Sequence, residues 1–373
     1  MRGTLPLPTL AALLLLLCTQ TGVRAQKAAR GGAARERQVA ARFAPVFRQA
    51  LGDHPRADYV TRFDFDGDWR GDNNWRNADD PKFRLRAYVY FAVAETATHF
   101  YVHYALFHPR DYKGGTAAGP LLSDAIREGV RRGGRYDPTG LSSEAVLAHE
   151  NDMEGCLVVA EKDGDDPALA HVILVETLAH DRFHKYAPEG SGAPAAFERV
   201  RLEGASPVLF VEARGHGVLA YGGGDKQESR RGTLVYGFAG RAEDPEASGR
   251  EKESVGYELL PLYDTIWRRA LAGSQETFGE ILDYGSLSFE AAGAKEPVRR
   301  TKRLGRLGAA FLGKFGAPNA ARPPWGWFDR AERERPRGEW FFDPAATAKR
   351  DLGRGADFQT AYVRAPFLGL FRR

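Results

Sequence analysis

The run Cys156-Leu157-Val158-Val159-Ala160 reads as a buried strand, and it is preceded without a break by Ala148-His149-Glu150-Asn151-Asp152-Met153-Glu154-Gly155. Four ionisable side chains thus fall within six positions at the edge of a core, where carboxylates need a partner, most cheaply a cation. In strand geometry Asp152 and Glu154 share one face, while His149 has the opposite parity and must arrive from a turn or bulge. Two carboxylates and an imidazole can then converge. Such a set suits calcium or magnesium when oxygens and water complete the shell, and zinc or manganese when a second His joins. The alternative, given equal weight, leaves Glu150 and Glu154 in solvent and uses Asp152 to cap a turn.

Further candidates lie where strands end. Pro207–Ala213 reads as a strand running into Arg214-Gly215-His216-Gly217, and the two glycines are expected to leave the His216 ring accessible near the cation. His180, in the loop His180-Asp181-Arg182-Phe183-His184, and His108, at the expected end of another strand, are candidate ligand contacts, as is Glu150. A second acidic site is offered by Asp64, Asp66, Asp68 and Asp72. It is not an EF-hand, because Gly67 falls at the fourth position of the loop and no Glu occupies the twelfth. Its bland reading is a polar strand edge followed by an Asx-rich turn.

The N-terminus places Met1-Arg2 before the apolar run Leu10–Leu17 and ends it at Val23-Arg24-Ala25, the pattern of a cleaved secretory signal peptide over residues 1–25. Export leaves 373 − 25 = 348 residues with Cys156 as the one cysteine, so no internal disulfide is expected. Cys156 reads as a small core residue. Hydrophobic residues at 43% and charged residues at 27% are ordinary for a folded chain. A net charge of +4, without zinc-finger spacing or a phosphate loop, gives no reason to expect nucleic acid as a partner. No window beyond the signal is apolar enough to span a membrane.

Residues 26–37 lack any period and are expected to be a disordered arm, with one elaborated domain over 38–373. Val39, Phe43, Val46, Phe47 and Leu51 keep helical spacing up to Gly52. Residues 83–95 and 98–107 read as a central hairpin, and further strands are expected at 170–177, 207–213, 232–239 and 255–262. Leu121 to Arg132 reads as a short helix in a long excursion, and 299–306 as a basic segment whose simplest reading is a solvated face. The expected fold class is mainly β, an antiparallel β-sandwich of jelly-roll type with peripheral helices and long loops.

His149-x-x-Asp152-x-Glu154, followed about sixty residues on by Val211-Glu212-Ala213-Arg214-Gly215-His216-Gly217, resembles the signatures of the vacuolar protein sorting-associated and necrosis-inducing-protein-like group. The likeness takes in Tyr104 to Tyr112 and the Pro323-Pro324-Trp325-Gly326-Trp327 region. It implies a compact β-sandwich in which His149, Asp152 and Glu154 surround a calcium or magnesium ion that helps engage a lipid-borne sugar headgroup. Asn151 replaces a second His or Gly of that pattern, Met153 a Trp, and Leu141 an acid.

Together these residues predict an exported β protein binding a divalent cation through His149, Asp152, Glu154 and His216, and recognising a glycan or lipid headgroup at that end. The alternatives are a metal-dependent hydrolase, with Glu154 or Glu150 as base, and a structural surface protein with a stabilising ion. The intact mass of exported protein is expected to correspond to a chain starting at Gln26. A retained Met1 would end the signal-peptide reading.

Overall fold

The structure is a computed structural model that describes residues 32–111, 148–223, 231–247, 253–314, 320–332, 334–355 and 358–370. The signal peptide and the 121–132 helix lie outside the described residues. Runs of aromatic and β-branched residues without polar alternation form the centre of the fold. β1 (Val46–Ala50) comes first in the chain, and then β2 (Tyr88–Thr96) and β3 (His99–Asp111) form the expected hairpin. β4 (His149–Glu161) pairs antiparallel with β3 from His99↔Glu161 to Asp111↔His149. All of β3 and all but the last residue of β4 are buried. Parity divides their side chains between two cores: Tyr90, Tyr101 and Leu157 enter one, here the outer core, and Phe91, Tyr104 and Val158 the other, the inner core.

Beyond β4 the sheet adds β5 (His171–Ala179), β6 (Arg182–Ala187) and the short β7 (Glu198–Arg199). On the other side of β2 it runs through later strands of the chain. These are β8 (Leu202–Glu203), β9 (Ser206–Val211), β10 (Val218–Ala220), β11 (Thr233–Phe238) and β12 (Ser254–Pro261). The order is β10-β9-β1-β11-β12-β2-β3-β4-β5-β6-β7, with β8 paired to β9. The pairs β1/β9, β11/β12 and β12/β2 are parallel.

The expected antiparallel sandwich is therefore corrected to one large mixed sheet. It curls until β10 lies against β5 and β4. Burial periodicity reports which side chains leave water but not the direction or partner of a strand, so parallel pairings between distant segments were invisible to it. After β12 come β13 (Phe278–Asp283), β14 (Ser286–Ala291), β15 (Val298–Arg303), β16 (Arg306–Phe311) and β17 (Tyr362–Arg364). β13 and β16 make a separate two-stranded sheet, while β17 bridges β2 and β14.

Two readings at the N-terminus also change. A helix covers 32–42, so residues 32–37 are its first turns and not part of a disordered arm. Arg35 donates to Glu95 at 3.0 Å, and Glu36 accepts from Arg364 at 2.6 Å, which ties down a stretch that looks structureless by composition. The helix puts Val39, Ala40 and Phe43 into the inner core and does not reach Gly52. Pro45 cannot donate in a helix, and Val46–Ala50 instead forms β1 between β11 and β9.

The outer core is roofed by Trp267, Trp325, Trp327, Trp340, Phe341 and Phe342. His103 sits beneath this roof, and His99, on the same face of β3, stacks on Phe358 with centroids 4.4 Å apart. His103 lies 4.8 Å from the Trp340 ring, its Nε2 is 3.0 Å from the Trp340 carbonyl, and burial lowers it to about 4. Cys156 is a buried free thiol, as expected.

Under the same roof Glu176 accepts from the Trp340 indole at 2.6 Å. Burial, with the charge and hydrogen bond of Asp351 beside it, pushes Glu176 up to about 8. Burial also works to raise Asp351, but the hydrogen bond with Glu176 and the Lys185 ammonium 3.0 Å away outweigh it and hold Asp351 low. Glu176 therefore stays protonated at neutral pH. Its folded value lies above the ordinary 4.5, so the stability it gives is complete below about 4.5 and is lost as pH rises through 8. Glu176→Gln keeps a donor there without an ionisable proton. Near pH 4.5 this variant is expected to match the parent, and a gap in its favour should open as pH rises from there, reaching at least about 1.4 kcal/mol by pH 8 and staying constant above it, by urea unfolding. Parallel stability curves for the two proteins would overturn the assignment.

Candidate functional site

The motif of β4 lies inside the strand and not in the turn before it. Pro109 interrupts the pairing opposite Asn151, and Asn151 takes a left-handed φ of 62° that an Asn tolerates better than most residues. Its amide donates to the carbonyls of Gly71 and Leu312, both at 2.8 Å, and accepts from Asn74 at 2.7 Å. Glu150, at 2% exposure, accepts from the backbone N–H groups of Trp75 and Lys314, each at 2.7 Å. Glu150 and Asn151 thus staple two loops to β4. Gly155 follows because a Cβ there would run into the Tyr104 carbonyl and the Ala105 backbone of β3.

Asp152 and Glu154 point to the inner face, as their parity requires. Asp152 meets His216, whose Nδ1 is 2.9 Å from its Oδ2, while His216 Nε2 lies 3.3 Å from Asp58 Oδ1. The His216 ring is 0% exposed, which corrects the expectation of an accessible imidazole. Gly217 explains the difference: a Cβ there would strike Glu212 and Ala179, so the small residue lets the turn press against β5. Burial works against charge on His216, but hydrogen bonds and charges from Asp152 and Asp58 overcome it and raise it to about 10. Burial likewise opposes ionised Asp152, and the bond to His216 overrides it to hold the carboxyl well below its usual range.

His108, which β3 carries opposite Asp152, stacks on His216 with centroids 3.8 Å apart and planes at 5°. Burial and the His216 charge both push His108 down, so a neutral imidazole lies on an imidazolium. Its Nε2 is 3.2 Å from Gln49. Asp58 also accepts from the N–H groups of Gly52 at 2.6 Å and Arg214 at 2.7 Å. The cluster therefore joins β3, β4, the β9–β10 turn and the short helix Pro55–Asp58.

Glu154 accepts from the His180 N–H at 2.8 Å, and the His180 ring pairs with Glu212 at 3.0 Å. His149 turns away, with Nδ1 2.8 Å from the Asn151 carbonyl and Nε2 3.4 Å from Asp111. Among the described residues the non-glycine residues with positive φ are Asn151, His180, Arg214 and His216, and all lie at this end. Strain gathered at one place is held by its surroundings and marks functional sites. A cavity of about 220 Å³ opens beside them, walled by Asp152, Glu154, His180, Arg322, Trp327 and Phe328.

The expected shell of His149, Asp152, Glu154 and His216 is not assembled. Among the described residues no three His, Cys, Asp or Glu groups are placed to hold an ion together. His149 faces Asp111, and His216 holds a proton between two carboxylates. Asp152 and Glu154 line the cavity, the first with its oxygens already bonded to His216 and the Met153 N–H and the second accepting from the His180 N–H. The acidic loop does not converge either. Asp64 pairs with Arg62, Asp66 accepts from Asn77, Asp68 from Asn73, and Asp72 pairs with Arg70. Asp58, Gln49 and Glu212 were missed, because an isolated acid or amide beside a short apolar run carries no spacing signal. Only the Pro-Pro-Trp-Gly-Trp segment, which supplies Trp327, stood out.

The fold and site define a mainly β protein with a curled mixed sheet, an imidazolium clamp at one end and a small carboxylate-walled cavity beside it. Among the described residues no helix is long and apolar enough to cross a membrane. No family model matches the chain, and no curated protein matches it. Solved structures with distant similarity include necrosis and ethylene inducing protein 2 from the causal agent of cocoa's witches' broom disease. It shares 16% identity over 52% of this chain and 74% of that one, with a TM-score of 0.27. The non-toxic protein HaNLP3 shares 12% over 60% and 74%, at 0.26. NLPPya in complex with glucosamine shares 14% over 52% and 73%, at 0.27. Nothing in these comparisons supports the vacuolar-sorting part of the resemblance.

Removing the imidazolium leaves Asp58 and Asp152 buried without their shared counter-charge. His216→Ala is expected to lose about 3–5 kcal/mol at neutral pH by urea unfolding. Since His216 is raised in the fold, its contribution is complete below its ordinary 6.5 and fades as pH climbs towards 10, so the gap between parent and variant should narrow over that window. An unchanged midpoint at pH 7 would show that the clamp carries no stability.

Proposed function

We propose that this chain is an exported recognition protein whose cavity at the Asp152–Glu154 end takes a sugar unit, free or as a lipid headgroup. The observation that carries the reading is the composition of the wall. Asp152 and Glu154 place acidic residues on the wall to accept from hydroxyl groups, and the half-exposed His180 offers donors beside Arg322, which is also paired with Glu280 at 2.7 Å. The partly exposed Phe328, with Trp327 packed behind it, offers an aromatic surface to the apolar face of a pyranose. Trp327 is fixed for this role by its indole N–H, which donates to the Met153 carbonyl at 3.0 Å. A volume near 220 Å³ suits one small ring better than an extended chain. Any divalent cation taking part would be held by Asp152 and Glu154, with water and ligand oxygens completing its shell, and calcium or magnesium suits such oxygen donors.

Calorimetric titration with a panel of neutral, amino and acidic monosaccharides, with calcium and with chelator, tests the reading. Glu154→Gln preserves shape and the bond from His180 but removes charge, and Phe328→Ala removes a wall. Each is expected to weaken binding roughly tenfold, the loss of about one charge-assisted bond or one aromatic contact. Sugar binding that both variants leave untouched, or no binding to any sugar, overturns the proposal. Binding that is equal with calcium and with chelator removes the cation from it.

A further inference from the structure

A second cavity, of about 510 Å³, opens on another part of the molecule between the β14–β15 hairpin and the helix Pro344–Asp351. On the hairpin Ser288 and Glu290 face it with Arg299, which is registered opposite Glu290. From the helix come Ala346, Lys349, Arg350 and Gly353, spaced so that one face of the helix forms the wall. The helix ends at Gly353 in left-handed conformation, and the backbone N–H of Arg354 returns to the Lys349 carbonyl at 3.0 Å. That turn brings the exposed Arg354 side chain to the rim beside Lys349.

The acids of this cavity are already engaged. Glu290 accepts from Thr360 at 2.8 Å, and Asp343 accepts from the N–H of Ala346 and the hydroxyl of Tyr362. Arg350 is paired with Glu339 at 2.8 Å. Arg299, Lys349 and Arg354 differ, since among the described residues none of them forms an ion pair. The chain as a whole is nearly balanced, with 53 basic against 49 acidic residues, and many of its other arginines are paired. The adjoining strand β15 adds Arg300, Lys302 and Arg303, all exposed and likewise unpaired among the described residues. Three like charges around one concave surface repel, and an anion seated among them relieves that repulsion.

We propose that this cavity binds a phosphate-bearing ligand through Arg299, Lys349 and Arg354, with the Ser288 hydroxyl as a further donor. Guanidinium groups bind phosphate oxygens bidentately and an ammonium group acts as a point charge, while hydroxyls complete the acceptor positions. The phosphate belongs either to a soluble molecule or to a lipid headgroup, and β15 extends the positive field beyond the cavity towards such a ligand.

Inorganic pyrophosphate titrated calorimetrically into the mature protein is the first probe. Lys349→Glu and Arg354→Glu lie on the surface side of the helix end and are each expected to weaken it tenfold or more, with the parent's affinity falling as salt is raised. Arg201→Glu, a charge reversal at an exposed residue outside this cavity, should leave it unchanged. Co-sedimentation with phosphatidylcholine vesicles containing phosphatidic acid separates the sources. Vesicle binding lost in Lys349→Glu and Arg354→Glu assigns the phosphate to a lipid, whereas pyrophosphate binding without vesicle binding assigns it to a soluble ligand. The proposal is overturned if pyrophosphate gives no heat. It is equally overturned if binding survives both helix variants and is lost instead in Arg300→Glu or Lys302→Glu, which would mark a merely basic strand.

Discussion

Burial of β3 and β4 on both faces is the constraint from which the rest of the molecule follows. A strand pair covered on two sides has no solvent to satisfy polar groups at its end, so each ionisable side chain of the 149–154 motif must find a protein partner. Glu150 takes backbone N–H groups, Asp152 takes an imidazolium, Glu154 takes the His180 amide, and His149 takes Asp111 and a carbonyl. These partners come from loops around residues 58, 75, 180, 216 and 314, so satisfying one strand organises a whole end of the sheet.

The way His216 is used follows from the same constraint. A cation of some kind is needed between Asp58 and Asp152, and the fold supplies one from its own chain by protonating a histidine. The neutral His108 stacked on it contributes a flat surface and, through Gln49, a tie to β1. Beside this closed cluster the cavity keeps Asp152 and Glu154 at its wall. A rigid, internally compensated block thus backs a small open pocket, the arrangement in which side chains are held ready for a ligand.

Much of this was legible in the residues, and the rest was hidden for physical reasons. The β2–β3 hairpin, the β4 apolar run and the buried Cys156 follow from runs of residue types whose burial is local information. The prominence of Asp152, Glu154 and His216 was also readable, since acids and a glycine-flanked His beside apolar strands demand explanation. Their pairing was not. Asp58 is remote from Asp152 in sequence, and nothing in a His-Pro-Arg-Ala-Asp stretch shows that it closes on His216. Gly215 and Gly217 suggested exposure, yet at Gly217 the missing side chain serves close packing against Ala179, and a sequence does not separate these uses of glycine. The sandwich expectation failed similarly, because parallel pairs such as β1/β9 join segments about 160 residues apart.

Those distant pairings bear on when the molecule can acquire its structure. β2, near the start of the described chain, pairs on one side with β12 and at its end with β17, and the buried Glu36 accepts from Arg364. The inner core is completed only by β9 to β12, although its first helix already meets β2 and β3 through Arg35–Glu95 and Ala40–Tyr104. Contacts of such long sequence separation close slowly, because loop entropy must be overcome before they return any stability. A chain emerging from its N-terminus therefore keeps its central sheet incomplete through most of its synthesis, and the early strands stay without their late neighbours until the last segments have appeared.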